Sequence, residues 1–193
     1  MGQLGFDDLL ADAAKDNAKR QFVAETAHLP DDWPEAVTCH NDQIAQHHAA
    51  MLACDFDLAL AIRKDAHLLA KKLNGGALGI LSSEDAPGCR LAKACAAPEG
   101  KVPLWGQDGT FTLDLDGMTT LIEMGGMFGI GATAMPYLGF SVRAVDRRKP
   151  FLSNTGYRSF LGATVPAELN MTVADFVRKV VTYHVTEELG TSY

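Results

Sequence analysis

FTLDLDGMTTLIEM, residues 111–124, is the stretch that decides the fold class. Phe111, Leu113 and Leu115 alternate with polar residues, Asp116-Gly117 offers a tight turn, and Met118, Ile122 and Met124 follow it. Period-two alternation on either side of an Asp-Gly pair is the pattern of a β-hairpin with one buried and one solvated face. A chain that reads as helical before this point must therefore change class here.

The residues upstream have helical periodicity. Phe6, Leu9, Leu10, Ala13, Ala14, Ala18 and Phe22 recur at three and four residues, opposite Lys15, Asp16, Lys19 and Arg20, and the pattern stops before Pro30 and Pro34. A second period runs through Ile44, His47, His48, Met51 and Leu52, with Thr38 or Asn41 as the expected cap. A third starts near Asp55, continues through Phe56, Ala59, Leu60, Ile62, Ala66, Leu69, Ala70 and Leu73, and ends at Asn74-Gly75-Gly76. Lys71 and Lys72 in its last turn, with glycine just beyond, suit a helix C-terminus.

Ala77–Leu81 reads as a short strand, and Cys89–Ala97 as a short helix that closes at Pro98. Downstream of the hairpin, Phe140, Val142, Ala144 and Val145 predict a further strand. Thr172-x-x-Asp175 resembles a capping box and precedes Val173, Phe176, Val177, Val180, Val181, His184 and Val185, an apolar stripe at helical spacing. Helices, then strands, then a helix imply an α+β fold: N-terminal helices, a small antiparallel sheet with a hairpin near 110–124, and a C-terminal helix packed on one face.

At 193 residues, 47% hydrophobic and 21% charged, the chain can bury one sizeable core. We expect one domain over residues 1–193, helical over 1–76 and mixed α/β over 77–193, without internal repeats or linkers. The opening residues carry neither a basic nor an apolar leader region, and no apolar run reaches membrane-spanning length without glycine or charge. The expectation is a soluble, cytoplasmic protein with no membrane partner. Cys39, Cys54, Cys89 and Cys95 are too few and too irregularly spaced for a disulfide framework, so they read as reduced thiols.

A net charge of −7 argues against a general nucleic-acid coat, because backbone binding needs many Lys and Arg contacts. The charge is uneven, however. Residues 143–158 hold Arg143, Arg147, Arg148, Lys149 and Arg158 against Asp146 alone.

Within that segment Ser153, Asn154, Thr155 and Gly156 form a turn whose hydroxyls and N–H groups could converge on an anion, with the arginines as a clamp. Tyr157, Phe151 and Phe160 are residue types on which bases stack. The candidate anion or nucleic-acid site is thus Arg143, Arg147, Arg148, Lys149, Ser153, Thr155, Gly156, Tyr157 and Arg158. The competing reading is a strand ending at Pro150 and a plain turn at 154–156, with its aromatics packed inward.

Other constellations carry less. Cys39, His40, His47, His48 and Cys54 are metal-ligand types, but adjacent His47 and His48 point about 100° apart on a helix and both fall on the apolar stripe. No metal site is assigned. His184 likewise reads as a core histidine.

Gly125-Gly126-Met127-Phe128-Gly129-Ile130-Gly131 matches neither Gly-x-Gly-x-x-Gly nor the Walker pattern, so no nucleotide or other cofactor is assigned. The segment 125–138 could instead be an apolar flap. Asp114 and Asp116 beside the hairpin turn read as ordinary turn acids. No nucleophile motif occurs, and nothing nominates a catalytic set.

KPFLSNTGYRSFL, residues 149–161, resembles a segment of uncharacterised accessory proteins of bacterial plasmids and phages. Leu73-Asn74-Gly75-Gly76 and Val102-Pro103-Leu104-Trp105-Gly106 add to the resemblance. It brings no activity or residue role with it.

The leading expectation is a non-enzymatic accessory protein of a mobile genetic element that contacts nucleic acid, or a nucleic-acid-handling protein, through residues 143–160. Two alternatives stand beside it. One is an enzyme acting on a phosphorylated or anionic small molecule, with Ser153, Thr155 and Arg158 under the glycine-rich flap. The other is an acidic inhibitor of a basic partner. Exposed apolar faces could equally mark a homodimer seam.

Overall fold

The computed structural model describes residues 3–115, 117–129, 139–146, 152–161 and 165–188, with 3–7 and 188 described by backbone alone. Helices α1 (Gln3–Glu25), α2 (Trp33–Leu52), α3 (Phe56–Leu73) and α4 (Pro87–Ala94) come first. Strands β1 (Gly109–Leu115), β2 (Met118–Met124), β3 (Phe140–Ala144) and β4 (Tyr157–Phe160) follow, then α5 (Val173–Tyr183). The strands pair antiparallel in the order β1-β2-β3-β4. The α+β architecture is as expected. Among the described residues no helix is long and apolar enough to cross a membrane.

Helix ends follow local chemistry. The Asp55 carboxylate accepts the Leu58 N–H at 3.1 Å and opens α3. Gly76 N–H reaches back to Lys71 O at 2.9 Å and closes it, with Gly75 and Gly76 both at positive φ. In α5 the Thr172 hydroxyl accepts the Asp175 N–H while the Asp175 carboxylate accepts the Thr172 N–H. The expected capping box is present.

Four expectations need correction. α2 begins at Trp33, capped by Asp32, not at Thr38 or Asn41. Pro34 occupies the first turn, where its missing N–H costs nothing, so it starts a helix rather than ending the chain's helical stretch. α4 likewise starts two residues early, at Pro87, and closes at Ala94.

Ala77–Leu81 is a turn, not a strand, because the Asn74 side-chain amide takes the carbonyls of Ala77 and Leu78 and Gly79 sits at φ +83. The apolar side of α1 finds no cover among the described residues, with Leu9 69% and Leu10 54% exposed, and the helix meets the body only near Phe22.

One face of the sheet is buried under α5. Phe111, Ile122, Met124, Phe140, Val142 and Phe160 point inward against Val173, Phe176, Val177 and Val180. Phe140 stacks on Phe160 at 4.9 Å and meets Phe176 edge-on at 6.1 Å. The final helix continues as a wider π-type turn over His184–Glu188, and buried His184 meets the Phe160 ring edge-on at 5.5 Å.

The helical and sheet halves meet at Trp105-Gly106. Trp105 N–H donates to His48 Nδ1 at 3.2 Å, and its indole N–H donates to Met171 O at 2.9 Å while the ring packs on Phe176. Met127 N–H donates to Gly106 O at 3.1 Å. Beneath this joint Arg63, fully buried on α3, donates from Nε to His47 Nε2 at 2.7 Å. Since Nε2 accepts, the proton of the neutral ring sits on Nδ1, which is buried without a partner. Burial and the Arg63 charge push the His47 pKa down to about 4.

Two consequences are measurable. Gly106 sits at φ +90, and a Cβ there would lie 2.8 Å from His47 Nδ1 and 2.9 Å from the Met127 methyl. Gly106→Ala should therefore destabilise by more than about 1 kcal/mol in urea unfolding, with two-half uncoupling visible as a shallower transition.

His47 also sets a pH dependence. Its folded pKa of about 4 lies below the ordinary 6.5, so the unfolded chain binds the extra proton between those values. Stability is full above pH 6.5 and falls as pH drops toward 4, by at most about 3 kcal/mol. His40, lowered chiefly by burial, acts in the same direction. His47→Gln, which keeps an acceptor for Arg63 and cannot titrate, should flatten the urea-midpoint profile between pH 6.5 and 4.

Candidate functional site

Among the described residues nothing covers the sheet face opposite α5. Cross-strand register places Thr112, Leu121, Arg143 and Tyr157 in one row across all four strands, and Thr110, Glu123, Ser141 and Ser159 in the next. Leu121 is 38% and Tyr157 43% exposed, so this face keeps an aliphatic and an aromatic side chain in water. Arg143 and Tyr157 are direct cross-strand partners, with the guanidinium carbon 5.6 Å from the ring centroid.

Not every candidate residue joins them. Arg158 follows Tyr157 on β4 and so leaves on the other side, where its guanidinium carbon lies 5.9 Å from the Phe160 centroid. The Ser153 hydroxyl accepts the N–H groups of Thr155 and Tyr157 and donates to Tyr157 O at 2.8 Å. Gly156, at φ +67, donates to Ser153 O and receives Ala144 N–H on its carbonyl.

Ser153 and Thr155 thus bond within the turn that leads into β4, and the Gly156 carbonyl ties that turn to β3. Arg147, Arg148, Lys149 and Phe151 lie outside the described residues. Of the nine candidates, Arg143 and Tyr157 form the described pair.

At one end of the open face is a cleft of about 340 Å³, walled by Asp108, Glu123, Ser141, Tyr157, Ser159 and Leu161 over the backbone of Gly125, Gly129 and Gly139. The Asp108 carboxylate accepts the Gly126 N–H. Burial raises the Asp108 pKa, that hydrogen bond works against the shift, and Glu123 adds to it. A Cβ at Gly126 would stand 2.9 Å from Asp108 N, which ties this glycine to the acid.

Residues 125–129 form a corner that supports an acidic cleft, and residues 130–138 of the expected flap lie outside the described residues. Glu123 and Ser141 were legible as outward strand positions. Asp108 had no signal, since it lies before the strand and gains its place only through Gly126.

The histidines do not assemble a metal centre: among the described residues no group of three His, Cys, Asp or Glu could hold one. His40 pairs with Gln43 and tilts against Phe128, and His67 Nε2 lies 2.9 Å from Met127 O. These rings hold the 127–128 segment to α2 and α3. Cys95 is buried and its thiol is pushed up to about 11, and burial raises Cys39 as well. Asp114 caps the hairpin by accepting Gly117 N–H at 2.9 Å, and Asp116 lies outside the described residues.

A second depression, of about 1140 Å³, opens beside the start of α2, where Asp31, Asp32, Glu35, Asp42 and Asp65 line it with His28. Lys72 pairs with Asp31 at 3.0 Å.

No family model matches the chain, and no solved structure matches it. It is similar to two curated Escherichia coli proteins named Protein KlcB. One is 36% identical over 141 residues, covering 72% of this chain and 30% of the relative. The other is 31% identical over 163 residues, covering 84% of this chain and 39% of the relative. The chain thus spans 30–39% of the length of the curated relatives it matches.

Proposed function

We propose that this chain is a non-enzymatic accessory protein of a mobile genetic element whose open sheet face docks onto a nucleic-acid-handling protein. The observation that carries the reading is the Arg143–Tyr157 pair, set beside Leu121 on a face that no described element covers. Tyr and Arg are the residue types enriched at the energetic centres of protein interfaces.

The residues around the pair favour a protein over bare nucleic acid. Glu123 stands in the adjacent row, the cleft beyond it is acidic, and the whole chain carries −7. Backbone binding rests on several phosphate contacts, each needing a cation. The same acids, with Ser153, Thr155 and Arg158 outside the cleft, weigh against an enzyme for an anionic small molecule.

Labelled single-stranded and duplex DNA and RNA, titrated at low and at physiological salt, test the choice. No saturable binding at physiological salt is expected. A salt-sensitive complex lost in Arg143→Ala would turn the reading to nucleic acid. In producing cells, a photo-crosslinking residue at position 121 should capture a nucleic-acid-binding protein, and one at position 81 should not. With that partner purified, Tyr157→Ala should weaken binding at least about tenfold.

The groove at Asp31, Asp32, Glu35, Asp42 and Asp65 supports a second reading, the acidic inhibitor. Binding of a basic partner that survives Tyr157→Ala and is lost on charge reversal at Glu35 and Asp42 would assign it.

A further inference from the structure

We infer that the cleft at the end of the sheet face receives the guanidinium of an arginine side chain from the docked protein. The inference rests on the docking reading above and adds the group that the site takes.

Charge comes first. Asp108 and Glu123 both line the cleft and no lysine or arginine does among the described residues, so the lining itself repels phosphate and carboxylate, while Arg143 stands beside it over the Tyr157 ring.

Shape narrows the cation. The guanidinium is flat and carries five N–H donors in a fixed fork that matches a carboxylate, whereas an ammonium is a compact point charge. Glu123 is exposed at the mouth, where its carboxylate, which accepts the Ser141 hydroxyl on Oε2 at 3.5 Å, can meet that fork. Ser141 and Ser159 stand in the same register row and offer hydroxyl acceptors for the remaining N–H groups.

Tyr157 supplies an aromatic wall, and this ring already accommodates the guanidinium of Arg143 at 5.6 Å. The floor is glycine backbone: Gly125 and Gly139 leave room that side chains would occupy, and a Cβ at Gly125 would meet Gly139 O at 3.2 Å. A volume of about 340 Å³ is enough for one side-chain head group.

The experiment is an NMR titration of the full chain with Nα-acetyl-arginine methylamide, its citrulline and lysine counterparts, and guanosine 5′-monophosphate. The arginine probe should bind saturably, in roughly the millimolar range, and shift the amides of Gly125, Ser141 and Ser159. The citrulline probe, which has the same shape without the charge, should bind at least tenfold more weakly, and the lysine probe should fall between them.

Glu123→Gln, at an exposed position that leaves the fold intact, should cost the arginine probe at least tenfold. Equal binding of citrulline, an unchanged titration in Glu123→Gln, or shifts confined to the Asp31–Glu35 groove would overturn the inference. Tighter binding of the nucleotide at the same amides would make the cleft a base pocket and overturn it too. A partner complex that Leu121→Asp disrupts and Glu123→Gln leaves untouched would retain the docking face and remove the arginine. A complex insensitive to both substitutions would remove the docking reading itself.

Discussion

The structure depends on one buried contact, the bond from Arg63 Nε to His47 Nε2, because it fixes the two longest packed helices at the level where the sheet half attaches. A buried guanidinium is costly unless its donors are met, and a buried imidazole must be neutral to accept from it. The acceptor role of Nε2 turns the His47 Nδ1 edge toward Gly106, where only a glycine allows so close an approach. From Gly106 the order passes along the backbone to Trp105, whose two N–H groups reach His48 and Met171, and across to Met127. Two polar side chains in the core thereby set the position of both the α5 side and the glycine corner.

The glycine corner in turn bears on why one face of the sheet stays exposed. With α5 covering one side of the sheet and the 125–129 segment held back by His40, His67 and Gly106, the described residues leave the other side to solvent. Alternation then sorts the residues of the basic segment. Arg143 and Tyr157, paired in register, share the open face, while Arg158 is sent the other way by a single step along β4. A linear cluster of charge is not a spatial one when it crosses a strand.

That geometry marks what the residues alone disclosed. The hairpin, the end of α3 and the α5 capping box were legible because each is set within a few residues by turn or cap chemistry. α2 was misjudged at its start because a proline reads as a breaker until its position in the first turn is known. Ala77–Leu81 was misjudged because an apolar run carries no record of Asn74 taking its carbonyls. The cleft was hidden for a different reason. Asp108, Glu123 and Ser159 are far apart in sequence and meet only through strand register and the bond from Gly126, neither of which leaves a spacing in the chain.

For the docking proposed above, the chemistry of the partner follows from how near the opposed charges lie. Glu123 stands two residues along β2 from Leu121, the cross-strand partner of Arg143, so it is a diagonal neighbour of the arginine. Diagonal neighbours are about 7–8 Å apart, within the roughly 8 Å screening length at physiological salt. A polyanion drawn to Arg143 therefore meets the repulsion of Glu123, with Asp108 behind it, at almost the same range. A protein surface is not so constrained. It can set a carboxylate over Arg143, an apolar side chain on Leu121 and Tyr157, and a cation toward Glu123 in one contact. Under the proposed docking, the mixed charge of the face would select for a partner that carries both signs, and the acidic end of the row would set where that partner places its positive group.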